Sequence, residues 1–295
     1  MPESKPQSHR GTIFLENAEI LLHESFPGDQ YVLRLHAPQC AANALAGSFA
    51  HLQCDPVLPM RRPLSILRAD IGSGWVEFLY KAVGIGTHAL SRRLPGESVS
   101  LLGPIGRPFE TDRARPRTLL LGGGVGIPPM IFLADSLRTD GHWQPVVFMG
   151  SEVPFPFTAR PSRFLVPGMP DGVIASMPLL EDWGIPSRLT SLQGYPGCHE
   201  GYITELARRW LDALHESQRA EVSVFACGPH PMLAAVATLA REYDLPCQVS
   251  LEEYMACAVG GCAGCTVEIV TPTGAAMKRV CVDGPVFDAR TVNWS

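Results

Sequence analysis

The sequence predicts a multi-domain β plus α/β protein: an antiparallel β-barrel over residues 1–114, a parallel-sheet α/β domain over 115–246 and a small cysteine-rich domain over 247–295. Three observations carry the prediction. Segments rich in β-branched and aromatic residues fill the first third, short apolar strands alternate with amphipathic helix-length stretches in the middle, and cysteines crowd into the tail.

Composition sets the frame. With 46% hydrophobic and 18% charged residues, the chain can bury enough apolar surface to offset the entropy of ordering. At roughly 100–200 residues per domain, 295 residues suit two domains and a small third. The 28 glycines and 27 prolines mean many turns and short elements, which excludes a helical bundle. A formal charge of −5 is too mild to bind a polyanion, so no nucleic-acid partner is expected. The uncharged stretch Leu119–Ala134 holds Gly122, Gly123, Gly124, Pro128 and Pro129 and is shorter than the ~20 residues of a spanning helix, so no membrane partner is expected either. The N-terminal MPESKPQSHR lacks the apolar core of a secretory signal. Nine cysteines, an odd number, make a disulfide framework a poor reading. The expected location is cytoplasmic.

Taken in order, YVLRLHA, GWVEFLYKAV and ESVSLLG read as barrel strands, separated by turn signals such as PGD at 27–29 and PGE at 95–97. TLLLG at 118–122, PVVFMG at 145–150 and VSVFACG at 222–228 read as parallel strands, with helices over 128–138, 203–216 and 230–243. Residues 151–201, with eight prolines, show no clear period. The tail from 247 is too small for much core of its own, so something besides hydrophobic burial is expected to hold it.

The tail states its chemistry most directly. Cys257-x4-Cys262-x2-Cys265, followed by Cys281 after fifteen residues, is the plant-type spacing for a [2Fe–2S] cluster. Three thiolates converge from one tight loop and the fourth arrives from a separate strand. Gly260, Gly261 and Gly264 are expected to supply the positive-φ turns. A four-cysteine zinc site is the alternative, but its usual form has two short C-x2-C pairs and this chain has one.

Two loops of the middle third point to a nucleotide. LLLGGGVGIPPM (119–130) reads as a strand, a glycine turn and a proline-started helix, an arrangement that aims backbone N–H groups at a phosphate. Gly122, Gly123, Gly124 and Gly126 are the candidates. Ile127 stands where the last glycine of G-x-G-x-x-G would be, so a plain strand-to-helix connection remains the alternative. CGPHPM (227–232) offers Cys227, Gly228 and Pro229 to the same face, or else is only a proline-capped helix start. Glu152 follows the second strand, where a carboxylate favours a free ribose 2′-hydroxyl, hence NAD over NADP. In the barrel, Arg61-Arg62-Pro63-Leu64-Ser65 is expected to end a strand and Gly84-Ile85-Gly86-Thr87 to follow a later one. Such an arginine can grip a pyrophosphate and such a serine can bond a flavin nitrogen; a solvated strand end is the plainer reading.

In combination, Arg-Pro-x-Ser, GGGVGIPP and CGPHPM resemble the ferredoxin–NADP⁺ reductase superfamily. With the cysteine tail and VCVDGPVFDA (280–289), the chain from about residue 12 resembles the electron-transfer subunits of class 1B dihydroorotate dehydrogenases. The resemblance implies FAD held by Arg62, Pro63, Leu64, Ser65, the strand around Leu79, Tyr80 and Lys81, and Gly86 and Thr87. It implies a [2Fe–2S] cluster on Cys257, Cys262, Cys265 and Cys281, and NAD as the final acceptor. It also implies an FMN-containing catalytic subunit as partner, in a heterotetramer. Hydride transfer between FAD and nicotinamide demands no acid–base residue, and none is assigned as catalytic.

The chain departs from the family pattern at Ala258, where a glycine usually follows the first cluster cysteine, and over 178–201, which is altered and could cover the nucleotide pocket. Two rival readings are a reductase subunit with the same cofactors that serves ferredoxin or a sulfur compound, and a non-enzymatic redox sensor. The histidines, His9, His23, His36, His51, His88, His142, His199, His215 and His230, are scattered and read as surface or packing residues.

Overall fold

The computed structural model describes residues 12–294. The stretch read for a secretory signal, with His9, lies outside the described residues. The barrel is built from β1 (Phe14–Phe26), β2 (Gln30–His36), α1 (Pro38–Asn43), β3 (Phe49–Gln53), β4 (Arg62–Asp70), β5 (Trp75–Lys81), α2 (Ile85–Leu90) and β6 (Ser98–Ile105). Its strands close in the order β1-β2-β5-β4-β3-β6, every pair antiparallel. Alternation decides what faces inward: Leu33 and Leu35 of β2 meet Val76 and Phe78 of β5 in the core. Gly28 and Asp29 both take positive φ in the three-residue turn that joins β1 to β2. The Arg61–Ser65 segment opens β4 instead of ending a strand. Pro63, which has no N–H to donate, sits near that strand's start.

The second unit contains β7 (Arg117–Gly123), α3 (Ile127–Leu137), β8 (Gln144–Gly150), β9 (Arg160–Pro161), β10 (Ala175–Ser176), α4 (Pro178–Asp182), β11 (Ser187–Thr190), α5 (Ile203–Ala213), α6 (Glu216–Arg219), β12 (Val222–Cys227), α7 (His230–Glu242) and β13 (Cys247–Ser250). The tail adds β14 (Thr266–Thr271), β15 (Gly274–Arg279), α8 (Val280–Asp283) and β16 (Val286–Asp288). One six-stranded sheet runs β11-β8-β7-β12-β13-β16. Its first five strands are parallel and β16 is antiparallel. All six residues of β12 are buried, the continuous apolar run of a strand covered on both faces.

Three expectations are corrected here. The unreadable stretch 151–201 contains β11, an edge strand of only four residues whose Ser187, Arg188 and Thr190 hide it from an apolar pattern. The helix expected over 203–216 stops at Ala213 and a short second helix follows. The tail is not a separate unit from 247 onwards, because β13 and β16 belong to the sheet.

Two apolar clusters tie the parts together. One runs from barrel residues such as Leu33 and Phe78 through Ile127, Met130 and Ile131 of α3 to Leu120 and Phe225 of the sheet. The other starts on the opposite sheet face at Leu119 and Leu121, passes α5 and α7, and ends among Met255, Ala258, Cys265 and Cys281. The tail thus borrows its core from the sheet. The barrel also touches the loop after β8, where Gln30 Nε2 donates to the Pro154 carbonyl at 2.7 Å.

Candidate functional site

A cavity of about 530 Å³ opens where the barrel, the glycine turn and the segment after β13 meet. Arg62, Pro63, Leu64, Ser65, Leu79, Tyr80, Lys81 and Thr87 line it from the barrel, Val125 from the turn, and Leu251 to Met255 from the head of the tail. The strand and turn residues that the sequence separates by some twenty positions are thus brought onto one wall, because β4 and β5 are neighbours in the barrel.

Their side chains do different things. The Arg62 guanidinium lies over Gly86, where a Cβ would come within 2.7 Å of Nε. Its Nη1 donates to the Met60 and Arg61 carbonyls at 2.9 and 3.1 Å, and it joins none of the ion pairs among the described residues. A planar cation left without a carboxylate at a cavity wall suits a pyrophosphate. Arg61 is instead spent on the barrel, donating to the Ser100 carbonyl and hydroxyl, each at 2.8 Å. Thr87 Oγ1 accepts from the Val83 and Gly84 N–H groups at 3.0 and 3.1 Å, so it shapes the loop that carries Gly86. Tyr80 borders the cavity, but its hydroxyl is paired with His23 Nε2 at 2.8 Å and its ring stacks on Tyr31; burial raises its pKa.

Gly122, Gly123, Gly124, Gly126, Cys227, Gly228 and Pro229 gather at the C-terminal ends of the adjacent strands β7 and β12, beside the cavity but not among its lining. Three of the four turn glycines answer to protein packing. A Cβ on Gly126 would lie 2.4 Å from the Cys227 carbonyl carbon, one on Gly123 would lie 2.4 Å from Met232 Sδ, and one on Gly122 would lie 3.0 Å from Ile127 Cα. Only Gly124 combines positive φ with open space, which leaves it as the turn's free approach for a ligand. Cys227 is fully buried; burial pushes its thiol well above the ordinary range, and Ser250 hydrogen-bonds it. Glu152 stands exposed beyond β8, the next strand out.

The four tail cysteines form two pairs. The Cys262 N–H donates to Cys257 Sγ at 3.4 Å and the Gly264 N–H to Cys262 Sγ at 3.4 Å. Cys265 and Cys281, both buried, interact thiol to thiol. Burial acts to raise the Cys257 thiol, but amide donors led by Val259 outweigh it and bring it down to about 7. Burial and Cys265 push Cys281 up to about 12. Arg279 pins the fourth cysteine's approach, donating from Nη1 to the Gly260 carbonyl at 3.0 Å and pairing with Asp283. The turn chemistry differs from expectation: Gly260 takes positive φ, as do Ala258 and Ala263, whereas Gly261 and Gly264 do not.

Among the described residues no three His, Cys, Asp or Glu side chains gather around one point. Two thiol pairs are what two irons need, two ligands each, rather than the tetrahedron of one zinc ion. The donor set therefore fits a [2Fe–2S] cluster.

Residues 178–201 line neither this cavity nor the second groove beside β16. They pack instead, with Trp183 under the guanidiniums of Arg68 and Arg138 at 5.5 and 4.8 Å. Sequence reasoning missed Phe49, Val83, Val125 and Glu252 to Met255 in the lining. For Glu252 a signal existed, since it directly follows a strand of an open parallel sheet. His51, expected as a surface or packing residue, is fully buried beside Arg61 and the Met255 backbone, and burial holds its pKa down at about 4. Among the described residues no helix is long and apolar enough to cross a membrane.

Residues 252–293 match the family model described as the iron-sulfur cluster binding domain of dihydroorotate dehydrogenase B. The chain is 32% identical over 283 residues to the dihydroorotate dehydrogenase B (NAD(+)) electron transfer subunit of Desulforamulus reducens, covering 94% of this chain and 98% of that one. It is 34% identical over 255 residues to the subunit of the same name from Bacillus caldolyticus, covering 83% and 86%. Among solved structures it resembles the NADH-dependent reduced ferredoxin–NADP oxidoreductase, with a TM-score of 0.76, 24% identity and coverage of 95% and 90%. The ferredoxin reductase of carbazole 1,9a-dioxygenase superposes at a TM-score of 0.61 with 20% identity, covering 79% and 67%.

Proposed function

The chain belongs to the family of dihydroorotate dehydrogenase B (NAD(+)) electron transfer subunits, and on that premise we propose that it carries electrons from an FMN-containing catalytic subunit through a [2Fe–2S] cluster and FAD to NAD⁺, in pyrimidine biosynthesis. The observation that carries this reading is continuity. Leu251 to Met255, which wall the cavity, lead through Ala256 to Cys257, so the cofactor cavity and the cysteine loop share one short stretch of backbone.

FAD, when bound, can take single electrons from a cluster and give a hydride to nicotinamide. The chain's own residues bind and orient. Arg62 would hold the pyrophosphate and Ser65, whose hydroxyl bonds no described protein group, would face the flavin ring. Gly86 and Gly124 keep the approaches clear, and Cys257, Cys262, Cys265 and Cys281 would hold the cluster, with Cys262 exposed toward a partner. The FAD domain is then the barrel to about residue 114 and the NAD domain the sheet. Cluster binding is confined to the stretch between β13 and β16. Glu152 favours NAD over NADP. Free thiols throughout the described chain agree with cytoplasmic work; a heterotetramer is the assembly we infer from the family resemblance.

The test is anaerobic. This chain and the catalytic subunit are mixed with dihydroorotate and NAD⁺, and NADH absorbance is followed. NADH forming only when both subunits are present supports the reading. Flavin bleached by NADH, with no NADH made by the mixture, would point to ferredoxin or a sulfur-linked partner.

A further inference from the structure

Residues 252–256 carry the chain from the cavity wall to the first of the tail cysteines, and little of their own holds them. Only Met255 among them is buried, while Tyr254 beside it is 94% exposed. Among the described residues no backbone–backbone hydrogen bond ties this stretch to its surroundings. Under the function proposed above, the same stretch spaces the flavin from the cluster, and electron transfer falls steeply as such a spacing grows. Its position must therefore be fixed from outside.

The barrel supplies that support from β3. Ala50 and Leu52 belong to the barrel core, so strand alternation turns Phe49 and His51 outward, toward the tail. Phe49 shares an apolar cluster with Met255. His51 is fully buried, and both of its ring nitrogens are shut off from solvent. A buried imidazole N–H needs an acceptor, and the backbone groups that act on the ring are those of Met255 and Arg61. Arg61 is already tied to Ser100 by its guanidinium, which leaves Met255 as the neighbour that needs holding. On its other side β3 pairs with β4, Phe49 opposite Ser65 and His51 opposite Pro63. The strand that meets Met255 thus also carries the cavity wall.

We propose that His51 is a positioning residue for electron transfer: its ring fixes the Met255 backbone on the outer face of β3 and so sets Cys257, two residues on, at a constant distance from Pro63 and Ser65. His51 lies outside the cavity lining and outside the four cysteines. It acts through Met255 alone.

The test compares His51→Gln, which keeps an N–H donor, with His51→Leu, which fills similar space without one, in the full chain loaded with FAD and cluster. Iron content, flavin content and melting temperature are the controls on folding. A laser flash with a photochemical donor places one electron on the chain, and its redistribution between flavin and cluster is timed by absorbance. His51→Leu should slow redistribution about 10-fold, with the midpoint potentials of both groups and the rate of flavin bleaching by NADH unchanged. His51→Gln should recover most of the lost rate. Amide exchange in His51→Leu should quicken over 252–262 and not in β3 or β4. Where His51→Leu loses its iron, His51→Asn, whose shorter donor stops short of Met255, takes its place in the same comparison. Wild-type redistribution in the donor-deficient variant, equal slowing in both variants, or exchange that quickens across the whole barrel would overturn the assignment. A wild-type cluster that takes no electron from NADH-reduced flavin would overturn the proposed function instead.

Discussion

The sheet and the tail hold themselves together in opposite ways. Every residue of β12 is buried, while β14 and β15 together bury only Ile269. The sheet is folded by apolar surface, and the ends of its strands carry the loops beside the cavity. The cysteine loop has two alanines in the left-handed region, a conformation that costs roughly 1–2 kcal/mol per residue, and little core except what it borrows from the sheet. On the function proposed above, metal ligation would supply the rest of its stability.

The sharpest way to break this contrast is Cys281→Ser. It should abolish bound iron and speed amide exchange across 266–279 by about 100-fold or more, leaving β7 and β12 protected. Iron retained at wild-type content, or exchange that rises equally in the sheet, would show that the tail folds on its own contacts.

His51 probes the seam between the regions, since it lies in the barrel near the Met255 backbone. Its pKa falls from 6.5 unfolded to about 4 folded, so the unfolded chain binds more protons between those values. Stability is full above about 6.5 and lost as pH falls toward 4, by up to about 3 kcal/mol. Urea unfolding across that range should show the loss, and His51→Gln should flatten it. A slope that survives the substitution would assign the acid sensitivity to other groups.

Within the sheet, Gly126→Ala should cost about 2 kcal/mol in urea unfolding, because its Cβ meets backbone of the β12 loop. Gly124→Ala should cost about 1 kcal/mol, from positive φ alone, and should act more on nucleotide affinity. The reverse order would mean that the turn is shaped by its ligand and not by packing. At the lower end, Arg208→Ala removes an exposed pair with Glu242 and should change stability by under about 0.5 kcal/mol.

The same contrast explains what could be read in advance. Barrel strands and β7, β8 and β12 announce themselves by periodicity and apolar runs, because their burial is local to the strand. β11 (SRLT), β13 (CQVS) and β16 (VFD) do not, because their places are fixed by neighbours far away in the chain. The cysteine spacing is legible since ligand geometry is encoded in it. The glycine turn is only half legible: sequence cannot tell a glycine that admits a phosphate from one that admits another loop, and Gly122, Gly123 and Gly126 are of the second kind. Glu252 escaped because β13, the strand it follows, has no apolar pattern to announce it.

The central claim is that the cavity and the cysteine loop form one electron path. The most direct measurement is an anaerobic titration of the chain alone with NADH, following flavin by absorbance and the cluster by electron paramagnetic resonance. The account predicts that the flavin bleaches and the cluster signal then appears in the same molecules. A fully bleached flavin beside a cluster that stays oxidised under excess NADH, yet accepts an electron from dithionite, would contradict it.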